Sequence, residues 1–255
     1  GSANLLLLQR VQETLAGRIE VIYLHPLSEQ EKQGGEKSLL QALLSGEIKT
    51  QVSSSAEIVQ GIAEAICQGG YPEPNTRNET GARRWYRQYL NAIFQRDVQD
   101  IASIHKEKEL GRLMELLALR TGNLLNVSNV SSDLGLDRET TEKYIAILER
   151  LFLVRRLPAW HRNRAKRLIR TPKIHVVDSG LAAMLNQLKT GDWISHSGDF
   201  GPVLESFVVQ QLICQAGWLA DDLNFSHYRD KEKVEVDLVI EQGRDVWGVE
   251  VKRAA

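Results

Sequence analysis

Between residues 234 and 252 apolar and polar positions alternate in two short runs, as in a pair of strands. Val234, Val236, Leu238 and Ile240 share one face of the first run; Trp247, Val249 and Val251 share one face of the second. A single core must bury both sets, and a slip of one residue would turn a whole set to water. Pairing Leu238 with Val249 satisfies both and leaves Gln242-Gly243-Arg244-Asp245 as a four-residue hairpin loop. Directly opposed residues share a face. Asp237 is therefore expected across from Glu250, with Lys252 next on the same side.

Upstream the period changes. Residues 36–103 carry apolar positions at three- and four-residue spacing in three runs, the middle one closed by Gly69-Gly70 and Pro72. Residues 110–120 predict a further helix, followed by a short one ending at Gly135. A third begins after Asp137, which is placed to accept the amide of Thr140. Two strands follow, LVRRLPAW and KIHVVD. Helix, short helix, helix and hairpin make a winged helix-turn-helix pattern, whose last helix would read a major groove. Asp178 is expected to cap a helix over residues 180–188, and the polar stretch 188–200 reads as a linker. The fold class is mainly α with an α/β end.

Charge changes this picture locally rather than globally. The 255-residue chain has a net charge of −1, so any nucleic-acid surface must be regional. The third helix is mixed, with Arg138, Lys143 and Arg150 offset by Glu139, Glu142 and Glu149. The hairpin is not. Arg155, Arg156, Arg162, Arg164, Lys166, Arg167, Arg170 and Lys173 occur there without one Asp or Glu, and Trp160 and His161 lie among them. Such a run suits sequence-independent phosphate contact, or a loop docked on an acidic partner. DNA is one expected partner.

Cys67 and Cys214 form no ligand pattern and read as core residues of a reducing, cytoplasmic protein. No run predicts a membrane span or a signal peptide. No phosphate-binding G-x-x-x-x-G-K-[ST] occurs; in Gly34-Gly35-Glu36-Lys37-Ser38 a glutamate stands where the second glycine belongs.

Two carboxylates at cross-strand distance repel unless a cation lies between them. Carboxylates are the usual holders of Mg2+. Alternatively Glu235, Asp237, Glu250 and Lys252 form only the wet face of a two-sided hairpin. Glu205 in an apolar-periodic run, then Asp237, then Glu250-Val251-Lys252 resembles the PD-(D/E)XK pattern of the restriction-endonuclease-like fold, with Val236 in place of the proline. That resemblance implies Asp237 and Glu250 as metal ligands, Lys252 as the water-activating residue and Glu205 as an accessory catalytic carboxylate.

The opening residues, Gly1-Ser2-Ala3-Asn4 and Leu15-Ala16-Gly17-Arg18, together with the Gly-Gly-Tyr-Pro-Glu-Pro turn, resemble archaeal-type AAA ATPases with a nuclease-like C-terminal domain. The likeness implies that Ser2 or Asn4 faces nucleotide and Arg18 contacts phosphate in a parent protein, ATP being bound only there. It divides the chain into an ATPase remnant (1–30), a helical linker region (31–107), a winged helix (108–178) and a shortened nuclease-like domain (179–255). The expected function is a winged-helix DNA-binding unit joined to a metal-dependent nuclease and governed by a missing ATPase domain. The alternative is a non-catalytic DNA- or protein-binding regulatory module of that ATPase.

Overall fold

The computed structural model describes residues 23–35, 38–48, 55–102, 107–163, 167, 170–195, 197–219 and 222–253. Short helices α1 (Glu29–Gln33) and α2 (Leu39–Ser45) come first, capped by the Ser28 and Ser38 hydroxyls. Helix α3 (Ala56–Gln68) buries Ala63, Ile66 and Cys67 along one stripe. It stops at Gly69, whose φ of 72° with an extended ψ suits glycine alone. Helix α4 (Glu79–Ala102) lays Tyr86, Leu90, Ile93 and Phe94 into the same core.

The element order expected for residues 108–178 is present. Helix α5 (Glu107–Leu119) is followed by α6 (Val127–Leu134), which ends at Gly135 with φ 68°. Helix α7 (Arg138–Arg150) begins with the Asp137 carboxylate accepting the Thr140 amide at 2.8 Å. Strands β1 (Val154–Leu157) and β2 (Lys173–Val176) pair antiparallel, with Arg155 opposite His175 and Leu157 opposite Lys173. Helix α8 (Ser179–Leu185) is capped by Asp178, as expected.

The stretch expected to be a linker is instead packed. Leu188, Trp193 and Phe200 are buried, and the rings of Trp193 and Phe200 lie 5.1 Å apart. These three apolar residues outweigh its polar composition, because each gains more by burial than a solvated loop offers; Ile194 stays exposed. Trp193 sits in the one-turn helix α9 (Asp192–Ser195) and Phe200 in the first turn of α10 (Ser197–Ala216).

The last sheet is an antiparallel meander of β3 (Asn224–Arg229), β4 (Glu235–Gln242) and β5 (Asp245–Val249). Leu238 pairs with Val249, the register that the hydrophobic alternation demands. Strand β3 escaped the pattern because its buried residues, Ser226 and His227, are polar. The chain is thus mainly α, with small antiparallel sheets in its C-terminal part. A large core joins α3–α8 and the start of α10. A smaller one gathers Leu40, Leu157, Val209, Leu212, Leu238 and Ile240. Beyond β1, the backbone at Ala159 runs parallel to β3, and the His227 amide donates to the Pro158 carbonyl at 2.9 Å. The β1–β2 hairpin therefore leans on the C-terminal sheet.

Candidate functional site: a carboxylate cluster closed by a lysine

Asp237 points inward from β4 and is 8 % exposed. The cation beside it is Lys173, the first residue of β2. The Lys173 Nζ lies 2.8 Å from Oε1 of Glu205 on α10, 2.8 Å from Oε1 of Glu235 and 3.0 Å from Oδ1 of Asp237. Only 2 % of the lysine side chain is exposed. One ammonium thus faces three carboxylates and is shared by three elements distant in sequence.

Local backbone features bring these groups together. The Gly122 amide donates to the Ile174 carbonyl at 2.8 Å, tying the end of α5 to β2. Gly122 has φ 76°, and a Cβ there would lie 3.1 Å from the Pro202 carbonyl oxygen and 3.4 Å from Oε2 of Glu205. Glycine therefore lets α10 approach closely enough for Glu205 to reach Lys173. Behind the cluster, the Val176 amide donates to Oγ1 of Thr121, which lies 2.7 Å from Oγ of Ser206. Ser206 is in turn 2.8 Å from Nδ1 of His175.

The electrostatics follow from burial against charge pairing. Burial works against the Lys173 ammonium, but hydrogen bonds to Glu205, Glu235 and Asp237 outweigh it and hold its pKa above the ordinary lysine range. Burial pushes the Glu205 carboxyl up to about 7, opposed by its bond to Lys173 and reinforced by the charges of Asp237 and Glu235. Three carboxylates around one ammonium carry excess negative charge, and a proton taken up near neutrality relieves it.

Glu250 and Lys252 lie elsewhere. Strand β5 ends at Val249, one residue before the expected opposition of Asp237 and Glu250. Oδ2 of Asp237 instead accepts the Val251 amide at 2.9 Å. The Lys252 side chain is 80 % exposed, with its ammonium 3.9 Å from Glu250. The expectation that Lys252 follows Asp237 on one face is thus corrected: the Asp237 carboxylate takes a backbone amide where the ladder would have continued. Asp237 and Glu250 do not fit a shared pair of Mg2+ ligands, because Asp237 is committed to Lys173 and a backbone amide while Glu250 faces solvent. Among the described residues no group of three or more His, Cys, Asp or Glu is arranged to hold a metal ion.

The basic hairpin is also largely engaged. Arg156 pairs with Glu142 at 2.6 Å and Glu149 at 3.5 Å on α7. Arg167 forms a two-pronged pair with Glu241, donates to the His161 carbonyl and lies over the Trp160 ring. Arg170 donates to the Arg229 carbonyl at 3.2 Å, and Arg155 donates to Gln210 at 3.1 Å. Arg162 is exposed. The eight-cation phosphate surface is corrected for Arg156, Arg167 and the buried Lys173, whose acids come from α7, α10 and β4. Arg164 and Lys166, like Ser2, Asn4 and Arg18, lie outside the described residues.

Two functional groups escaped sequence reasoning. Glu235 looked like one more wet-face acid, and Lys173 like one more wing cation. The available signal was the expected opposition of two acids, which repel unless a cation lies between them. Among the described residues no helix is long and apolar enough to cross a membrane.

Comparison with known proteins adds families without assigned roles. Residues 200–255 match the model described as Domain of unknown function (DUF4143). The chain is 27% identical over 257 residues to "Uncharacterized protein Rv2008c" of Mycobacterium tuberculosis and to "Uncharacterized protein Mb2031c" of Mycobacterium bovis. Both alignments cover 100% of this chain and 52% of the relative, so the chain spans about half the length of the curated relatives it matches. No solved structure matches significantly. Residues 59–192, just over half of the chain, match the model described as Domain of unknown function (DUF8612), and the chain belongs to that family.

Proposed function

We propose that the chain is the C-terminal part of an AAA-type ATPase and acts there as a non-catalytic regulatory module. In this reading a winged helix and a restriction-endonuclease-like sheet bind DNA or a protein partner without cleaving it. The observation that carries it is the Lys173 ammonium held by Glu205, Glu235 and Asp237. A nuclease of the PD-(D/E)XK kind needs its carboxylates turned toward a metal and its lysine toward the attacking water. Here the central carboxylates neutralise a buried lysine, and the motif lysine is in solvent. The ATPase assignment is supported by the resemblance of the opening residues and by the DUF4143 match, a domain often found with AAA ATPases.

The module's own residues have a mechanical role in this reading. Lys173 belongs to the hairpin, Glu205 to α10, and Glu235 and Asp237 to the last sheet. The cluster therefore joins three elements through one charge, and breaking it would uncouple them. Incubation with supercoiled plasmid and Mg2+ or Mn2+ tests the proposal. No cleavage is expected; nicks that disappear in Asp237→Ala and Lys252→Ala would overturn it in favour of a metal-dependent nuclease.

A further inference from the structure

Arg155 is the one cation of the β1–β2 sheet that the described residues leave without an acid. Arg156 has Glu142 and Glu149, and Lys173 has three carboxylates. Arg155 has only neutral partners: Nη1 donates to Oε1 of Gln210 at 3.1 Å, and Nη2 lies 3.4 Å from Nδ1 of His25. Burial works against its charged form, and of nearby groups only Cys214 acts in the other direction. A guanidinium does not escape this cost by losing its proton, so an enclosed one calls for a counter-anion.

Two residues next to Arg155 carry unpartnered buried nitrogens. Gln210 is 4 % exposed, its Oε1 is taken by Arg155, and its Nε2 is buried without a partner. Reversing the amide would set its NH2 against the guanidinium N–H groups, so the orientation is fixed by Arg155. His175 stands directly opposite Arg155 in the β1–β2 register, and opposed residues share a face with Cβ atoms about 5 Å apart. Its Nε2 is also buried and unpartnered, in a residue with 0 % exposure. Thr121 accepts the Val176 amide, and its hydroxyl finds an acceptor when it donates to Ser206 and Ser206 donates to Nδ1 of His175. That order uses every hydroxyl hydrogen and leaves Nε2–H of His175 as a free donor. Buried polar groups without partners are rare, and an unseen ion or water is a recognised cause.

We propose that Arg155, Gln210 and His175, with His25 alongside, form a binding site for one phosphate-sized oxoanion. The planar guanidinium fork matches two oxygens of such an ion, and the amide and imidazole supply further donors from the other elements. The depth of Gln210 and His175 restricts the occupant to a free oxoanion or the terminal phosphate of a small phosphomonoester. The site is separate from the question of DNA cleavage.

Thermal unfolding of the whole chain in inorganic phosphate, adenosine monophosphate or chloride at matched ionic strength tests this. At ten times Kd, phosphate is expected to raise Tm by about 2–4 °C over chloride, and Arg155→Met to abolish the rise. A larger rise with adenosine monophosphate assigns the phosphomonoester; equal rises assign the free oxoanion. Should Arg155→Met fail to fold, the side-chain amide resonances of Gln210 give the second readout. They are expected to shift in a phosphate titration of the wild-type chain. Unmoved Gln210 signals, no rise in Tm, or equal rises in wild type and Arg155→Met would overturn the site.

Discussion

The ammonium of Lys173 lies 3.0 Å from a carboxylate oxygen of Asp237, although the two residues are 64 positions apart in the chain. This contact joins the first residue of β2 to the middle of β4. It also sets the charge state of the interior, since Glu205 and Glu235 converge on the same nitrogen.

Replacing Lys173 should expose what the ion pairs hold together. Lys173→Met leaves three carboxylates enclosed without a cation, and removing one partner of a buried pair costs about 3–5 kcal/mol. Urea unfolding should show that loss. Ca2+ or Mn2+ should restore part of it in Lys173→Met while leaving the wild type unchanged, because in the wild type the Lys173 ammonium already occupies the place among the carboxylates.

His175 should impose an acid limit on stability. Burial, with help from the nearby Lys173 charge, pushes its pKa down to about 3, against an ordinary 6.5. Between these values the unfolded chain binds the proton and the folded chain does not. Stability is therefore complete above pH 6.5 and falls as pH drops towards 3, by about 1.4 kcal/mol per unit. His175→Asn keeps an acceptor for Ser206 but does not titrate. The stability difference between wild type and His175→Asn should move against the wild type by about 2 kcal/mol from pH 6.5 to pH 5. Parallel pH profiles would refute a neutral, buried His175.

The turn after α3 should tolerate no side chain at its docking point. A Cβ on Gly180 would come 2.6 Å from Oη of Tyr86 and 2.8 Å from the Gln68 carbonyl oxygen. Asp178 is fixed beside them, accepting the Gly70 amide at 2.6 Å and the Leu181 amide at 2.9 Å. Gly180→Ala should therefore destabilise by about 1–3 kcal/mol, the range for overpacking. A denaturation midpoint equal to wild type would contradict the packing.

Two arginines of the hairpin should behave oppositely. Arg167 and Glu241 are both mostly enclosed, with side chains 19% and 16% exposed, so Arg167→Gln should cost about 1–3 kcal/mol by stranding a hydrogen-bonded carboxylate. A double-mutant cycle with Glu241→Gln should return a coupling energy above about 0.5 kcal/mol. Arg162→Gln, at an exposed position, should stay within about 0.5 kcal/mol of wild type.

Much of the local structure was legible because its causes are local. Two alternating runs dictated the pairing of Leu238 with Val249, and the Asp137 and Asp178 caps followed from one side chain meeting an amide three residues on. The cluster was only half legible. Glu205 and Asp237 could be singled out as acids in apolar surroundings, but their cation comes from a basic run that reads as uniform in sequence. Nothing local separates Lys173 from Arg162; burial against α10 and β4 does, and those contacts span distant segments. Glu250 and Lys252 were misplaced for a related reason. Alternation predicts which side a residue takes while the ladder continues, not where an acid such as Asp237 captures the next amide and ends it.

Cleavage of covalently closed plasmid in Mg2+ or Mn2+ tests most directly whether the Lys173-bound cluster is a non-catalytic device. The plasmid should remain supercoiled with the wild-type chain at any concentration of either ion. Nicking that requires the metal and vanishes in both Asp237→Ala and Lys252→Ala would contradict the account.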